Sequence, residues 1–317
     1  MKKSQPLRLN CRMLAAISLC LAAGLMQSAA ADKTWDGGGD QSSWTNSPAN
    51  WDLDTDPAAN DRLFFGGTVG LSPNNNFPAD TDFAGITFNI GADPFTLSGA
   101  EVDLIGGVTN NSLNLQQINL NLDQTASRVH HAGGDLIYDG QVKNNALIKY
   151  GPGSITLQGT LENTGLRAEV YAGVLALAKS AAATRALPSS PIIVSNTGTI
   201  RLVNGAGTDQ IHFNQRVLVE NGGTFDVQNN EEISSLRSSG PGGVVLNNLP
   251  GEARTLTVGG GSGKKGAYYG NLTDGTGILN YQLARNGHVQ VFGGTNTYSG
   301  TTVVLNNTGG TGPTRLI

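Results

Sequence analysis

Three segments recur at a fixed interval: Gly173-Val-Leu175-Ala-Leu177, Gly198-Thr-Ile200-Arg-Leu202 and Gly223-Thr-Phe225-Asp-Val227, with leading glycines 25 residues apart. Gly153-Ser-Ile155-Thr-Leu157 precedes them by 20 residues, and Gly243-Val-Val245-Leu246 follows by 20. A turn glycine followed by apolar residues at every second position reads as a strand with one buried face. One such unit cannot enclose a core, but stacked units can. The expected fold is therefore all-β, a parallel β-helix or β-solenoid. Leu175, Ile200 and Phe225 would form an internal column, with Ala176, Arg201 and Asp226 outside. Arg201 would lie directly over Asp226 as an exposed ion pair worth about 0–1 kcal/mol. At about 4.8 Å per coil, roughly a dozen coils would make a rod of about 60 Å.

Composition agrees with many short strands. Charged residues are 14% and aromatics 6%, while the 44 glycines are about twice the usual share. Helix-forming residues concentrate in Ala176–Leu187, "ALAKSAAATRAL", read as a corner excursion of one or two helical turns ending before Pro188.

Lys2, Lys3, Arg8 and Arg12 precede an apolar run from Met13 to Met26, and small residues follow at Ser28–Ala31. This is the pattern of a cleaved secretory signal over residues 1–31. The run is too short for the roughly 20 apolar residues of a membrane span, so no transmembrane segment is expected in the mature chain. Removing it takes four of 20 basic residues and none of 24 acidic ones, leaving 16 − 24 = −8. Such a charge disfavours nucleic acid. Cys11 and Cys20 leave with the signal, so no disulfide is expected in the exported chain.

Residues 293–304, "GGTNTYSGTTVV", are rich in glycine and threonine without the Gly-Lys-Ser/Thr ending of a phosphate loop, so no nucleotide is expected. The stretch resembles the autotransporter-associated β-strand repeat through Gly294, Asn296, Thr297, Tyr298, Gly300, Thr301, Thr302 and Val303. "LIKYGPGSITLQGT" (147–160) is similar to the opening half of that repeat and "VYAGVLALAK" (170–179) to its closing half. This repeat occurs in passenger regions of bacterial autotransporters and in other large exported proteins. The resemblance implies a right-handed parallel β-helix and a place at the cell surface. The sequence departs from the pattern after Val304, and the residues that remain are too few for a membrane barrel, so none is expected within 305–317. The solenoid region, 67–317, is read as incomplete at its carboxy end or as exported by another route.

All three tryptophans, Trp35, Trp44 and Trp51, fall within residues 32–66. They suit an amino-terminal cap over the exposed end of a solenoid, or surface contacts to glycans. Asp52, Asp54 and Asp56 are spaced like the start of a calcium loop, but Pro57 and Leu63 occupy positions that require Gly and Glu, so a solvated acidic turn is expected. His130 and His131, being adjacent, would point to opposite faces of a strand. With His212 and His288 they are read as surface or corner residues. No catalytic residue, cofactor or metal ligand is assigned. The expected function is an exported, non-catalytic, structural or adhesive protein whose partners are surface glycans or other cell-surface proteins. The alternatives are a carbohydrate-binding module and a β-helix polysaccharide lyase or hydrolase.

Overall fold

The computed structural model describes residues 30–261, 265–284, 288–305 and 314–317. The signal segment expected over 1–31 falls almost wholly outside them. The described chain is an all-β solenoid of about 11 parallel coils. Each coil contributes to up to three parallel ladders. The first ladder begins with Asp32–Trp35 against Arg62–Phe65 and runs to Ser235–Arg237, and a separate three-stranded sheet of Lys265–Tyr268, Val289–Phe292 and Arg315–Leu316 continues its line. The first ladder therefore starts inside the segment expected to be a separate cap. The second runs from Asn74–Asn75 to Asn271–Leu272. The third is interrupted: it joins Thr81–Phe83 to Val142–Lys143, then resumes from Glu231–Ile233 to Thr302–Val304.

The repeat phase holds in the second ladder. Ile155, Leu175, Ile200, Phe225, Val245 and Leu272 face one another in consecutive register and are all buried. Alternation places Thr156, Ala176, Arg201 and Asp226 in the outward column beside them. Parallel pairing sets each of these inward side chains against an apolar neighbour above and below, so this column is continuous from Ile155 to Leu272. Glycines at corners permit this closeness. At Gly223 a Cβ would lie 2.4 Å from the Val194 carbonyl oxygen.

Between residues 143 and 231, where the third ladder has no extended strands, side chains replace backbone partners. Asn163 accepts the Val142 amide at 3.0 Å and donates to the Ala186 carbonyl at 3.1 Å. Gln210 accepts the Lys179 amide and donates to the Lys179 carbonyl, both at 2.9 Å. Glu231 accepts the Gln210 amide at 2.9 Å. Every one of these residues is buried.

The same corner explains why the expected helical turns do not form. Ala176 and Leu177 finish the strand Arg167–Leu177, and the following segment bonds across coils instead of along itself. Ser180 donates to Gly159, and Ala186 and Leu187 both donate to Gln210. Only one local bond, Thr184 to Ala181, remains. Inter-coil pairing overrides a favourable helix propensity worth only tenths of a kcal/mol per residue.

At the amino-terminal end the three indoles pack edge to face. Trp35 and Trp51 have centroids 5.2 Å apart, and Trp44 lies 5.6 Å from Phe65 and 5.8 Å from Phe83. Trp44→Ala is expected to cost about 3–5 kcal/mol, the usual range for emptying a buried aromatic site, and thermal unfolding followed by circular dichroism measures it.

Candidate functional site

Trp35, Trp44 and Trp51 are only 1%, 0% and 0% exposed. The expectation that they contact glycans is corrected: no ring keeps a free face for a sugar. Trp35 Nε1 donates to the Gly70 carbonyl and Trp51 Nε1 to the Trp44 carbonyl. The aspartates after them are likewise engaged. Asp52 accepts the Thr34 amide at 3.0 Å, and Asp56 accepts the Asn46 amide at 2.8 Å. Two members of the expected solvated turn therefore pin the segment to its neighbours.

The histidine expectation is corrected in two places. His130 and His288 are buried. His130 Nδ1 lies 2.7 Å from the Tyr138 hydroxyl and Nε2 2.8 Å from Gln124 Oε1. Burial pushes its pKa down to about 3, so the ring is neutral. Gln124 Nε2 donates to the Asn144 carbonyl, leaving its oxygen toward His130. This requires the Nε2–H tautomer and a Tyr138 hydroxyl donating to Nδ1.

Next in the same inward column is Lys149, also buried. Its ammonium donates to the carbonyls of Gly151 at 3.0 Å and Ala172 at 2.9 Å. Lys179 is held comparably by the Gln158 carbonyl. Burial lowers both lysine pKa values to about 8, against the opposing fields of Asp135 and Asp139 respectively. Both lysines cap corner carbonyls that the ladders leave over.

Arg201 and Asp226 meet as expected, Nε to Oδ2 at 3.0 Å, but the pair is not the exposed one anticipated. The Asp226 side chain is 0% exposed against 38% for Arg201. Gln228 Nε2 donates to Oδ2 and the Asn248 amide to Oδ1, so the carboxylate has three donors beneath a covering loop.

Carboxylates gather at two places on the third face. In the first, register aligns Asp82, Asp103, Asp123 and Lys143 outward, side by side. Oxygens of Asp80, Glu101 and Asp103 lie within 4.8 Å of one another, a set that could hold a hard divalent cation. Lys143 bonds Glu101 and lies 3.7 Å from Asp123. Burial, reinforced by the charges of Asp123, Asp80, Asp82 and Glu101, raises the Asp103 pKa. The column was readable as charge recurring at intervals of 21, 20 and 20 residues from Asp82 to Lys143.

The second is a groove of about 540 Å³ between Asp209, Glu231, Glu232, Thr257, Gln282 and Phe213. Burial raises Glu231 to about 8, and a carboxyl protonated near neutrality is what a general acid requires. Its oxygens, however, accept the amides of Gln210, Ile211 and Glu232, and Asp209 is bonded to Arg185 at 2.8 Å. Glu231 thus closes the interrupted ladder while lining the groove.

Comparisons of the chain with protein-family models, with curated proteins and with solved structures give no match. The class is defined by the fold itself, a parallel β-solenoid, and among the described residues no helix is long and apolar enough to cross a membrane.

The raised Glu231 pKa sets a pH dependence. The folded state holds this proton up to about pH 8, whereas the unfolded chain releases it near 4.5. Its contribution to stability is therefore complete below pH 4.5 and declines as pH rises through 8. Glu231→Gln is expected to flatten the decline between those values in urea unfolding at several pH values, whatever its absolute stability. Asp226→Ala is expected to destabilise by about 1.5–3 kcal/mol, the usual weight of buried bonds to a charged group, and the same unfolding series measures it.

Proposed function

We propose that this protein is an exported, non-catalytic β-solenoid with a structural and adhesive role at the cell surface. The observation that carries this reading is the stack of parallel ladders between Asp32 and Leu316. It makes a chain of short strands into one stiff support whose sides present side chains in regular rows. Several groups that chemistry would draw on, His130, Lys149, Lys179 and Glu231, are tied into internal hydrogen bonds. The outward rows, by contrast, offer repeated contacts suited to an extended partner.

The resemblance of residues 147–179 and 293–304 to repeats of exported passenger proteins supports the location, as does the basic and apolar pattern of the first 31 residues. Fractionation of producing cells tests the reading. The protein is expected in the surface or released fraction, and protease added to intact cells should degrade it. Recovery solely from the cytosol, protected from that protease, would overturn the proposal.

A further inference from the structure

Toward the carboxy-terminal coils the outer side of the first ladder becomes basic. Arg216 lies opposite Ser235. The Ser238 amide donates to the Ala267 carbonyl, which sets Arg237 beside Ala267 and Ser235 beside Lys265. Lys265 in turn lies opposite Val289, and Val289 opposite Arg315. Arg216, Lys265 and Arg315 therefore stand in one outward column, each two ladder steps from the next, about 9–10 Å. Arg237 leans in from the adjacent column, its guanidinium bonded to the Ser235 hydroxyl and the Lys265 carbonyl.

Arg216, Lys265 and Arg315 are exposed. Among the described residues none of these four cations forms an ion pair, while Arg62, Lys143, Arg167, Arg185, Arg201 and Arg254 all do. This concentration of unneutralised positive charge occurs in a chain whose net charge is −4.

Arg237 and Lys265 line a groove of about 440 Å³ together with Ala267, Tyr269, Val289 and Val291, and Arg315 follows Val289 in register while Arg216 lies opposite Ser235 on the other side. The groove floor is apolar, and Tyr269 is 43% exposed. That ring rests on Gly293, where a Cβ would come within 2.4 Å of the Tyr269 Cδ1 atom. The glycine therefore seats the tyrosine with part of its ring facing solvent, as a platform for the C–H face of a sugar.

We propose that this groove binds a linear acidic polysaccharide, with carboxylate or sulfate groups on alternate sugars meeting Arg216, Lys265 and Arg315, and a sugar ring against Tyr269. The inference deepens the adhesive reading above and rests on it. Cations two ladder steps apart match charges carried by every second unit of an extended chain. A nucleic acid carries denser charge, which the negative remainder of the protein repels. A lipid surface calls for a denser basic cluster than four residues along a groove.

Binding of the full chain to hyaluronate, acidic at every second sugar, is measured by calorimetry, with dextran, single-stranded DNA and phosphatidylglycerol vesicles as comparators. Expected is binding to hyaluronate that weakens as salt rises and none to dextran. Lys265→Glu/Arg315→Glu should weaken it at least ten-fold and Tyr269→Ala several-fold. Lys33→Glu, at the far end of the molecule, should leave it unchanged. Circular dichroism verifies that each variant is folded, and Lys265→Arg/Arg315→Lys, which keeps the charges, should bind like the native chain. Absence of binding, equal affinity of the charge-reversed variant, or tighter binding to DNA or vesicles would overturn the inference. A surface-located protein that ignores hyaluronate refutes the groove alone, whereas a cytosolic protein that binds it refutes the proposed function alone.

Discussion

Hydrogen bonding between successive coils is the constraint on which the rest of the molecule depends. Each coil is too thin to bury its own apolar residues, and its strands have no partners within the coil. Pairing with the coils before and after satisfies the backbone and simultaneously brings Leu175, Ile200 and Phe225 into contact. Backbone satisfaction and core formation are one event here, since a slip of one residue would turn every inward side chain outward. This explains how a chain low in charge and aromatic residues holds a defined register. Identical spacing between coils substitutes for the varied packing of an ordinary globular core.

Where the pairing lapses, polar side chains enter the interior. Asn163, Gln210 and Glu231 stand in for strand partners on the third face, and Lys149 and Lys179 neutralise carbonyls at the corners. Burying such groups is costly unless they are bonded, and each of these side chains makes at least one bond that a strand would otherwise supply. Further along, Gln290 reaches back to the Leu236 carbonyl at 3.0 Å, past Gly266, whose missing side chain leaves the space. Asn163, Gln210 and Glu231 therefore mark the places where the third ladder lapses.

The second ladder was legible because its glycine and aliphatic residues recur at intervals of 20 or 25 residues. Both the internal column and the Arg201–Asp226 neighbourhood follow from that phase. The acidic column from Asp82 to Lys143 obeys an interval of 20–21 residues, but no glycine marks its start, so periodicity in apolar residues alone passes over it. Ala176–Leu187 reads as helical since propensity is a local property, while the partners that keep it extended or turned come from coils about 20 residues away. His130 occupies an inward position of a strand, and only knowledge of the Tyr138 and Gln124 partners distinguishes that from an outward one. The tryptophans are the plainest case: a Trp-rich segment is written alike whether its rings are covered or bare.

The interruption of the third ladder has a consequence for how such a chain can change over time. Two faces are held there by strand pairing from coil to coil, but between positions 143 and 231 the third corner is closed by individual side chains and not by strands. A few residues gained or lost there alter the contour of one edge and leave the pitch of the stack untouched. This corner is a tolerant seam, along which lineages can diverge in outline while the axial repeat stays the same.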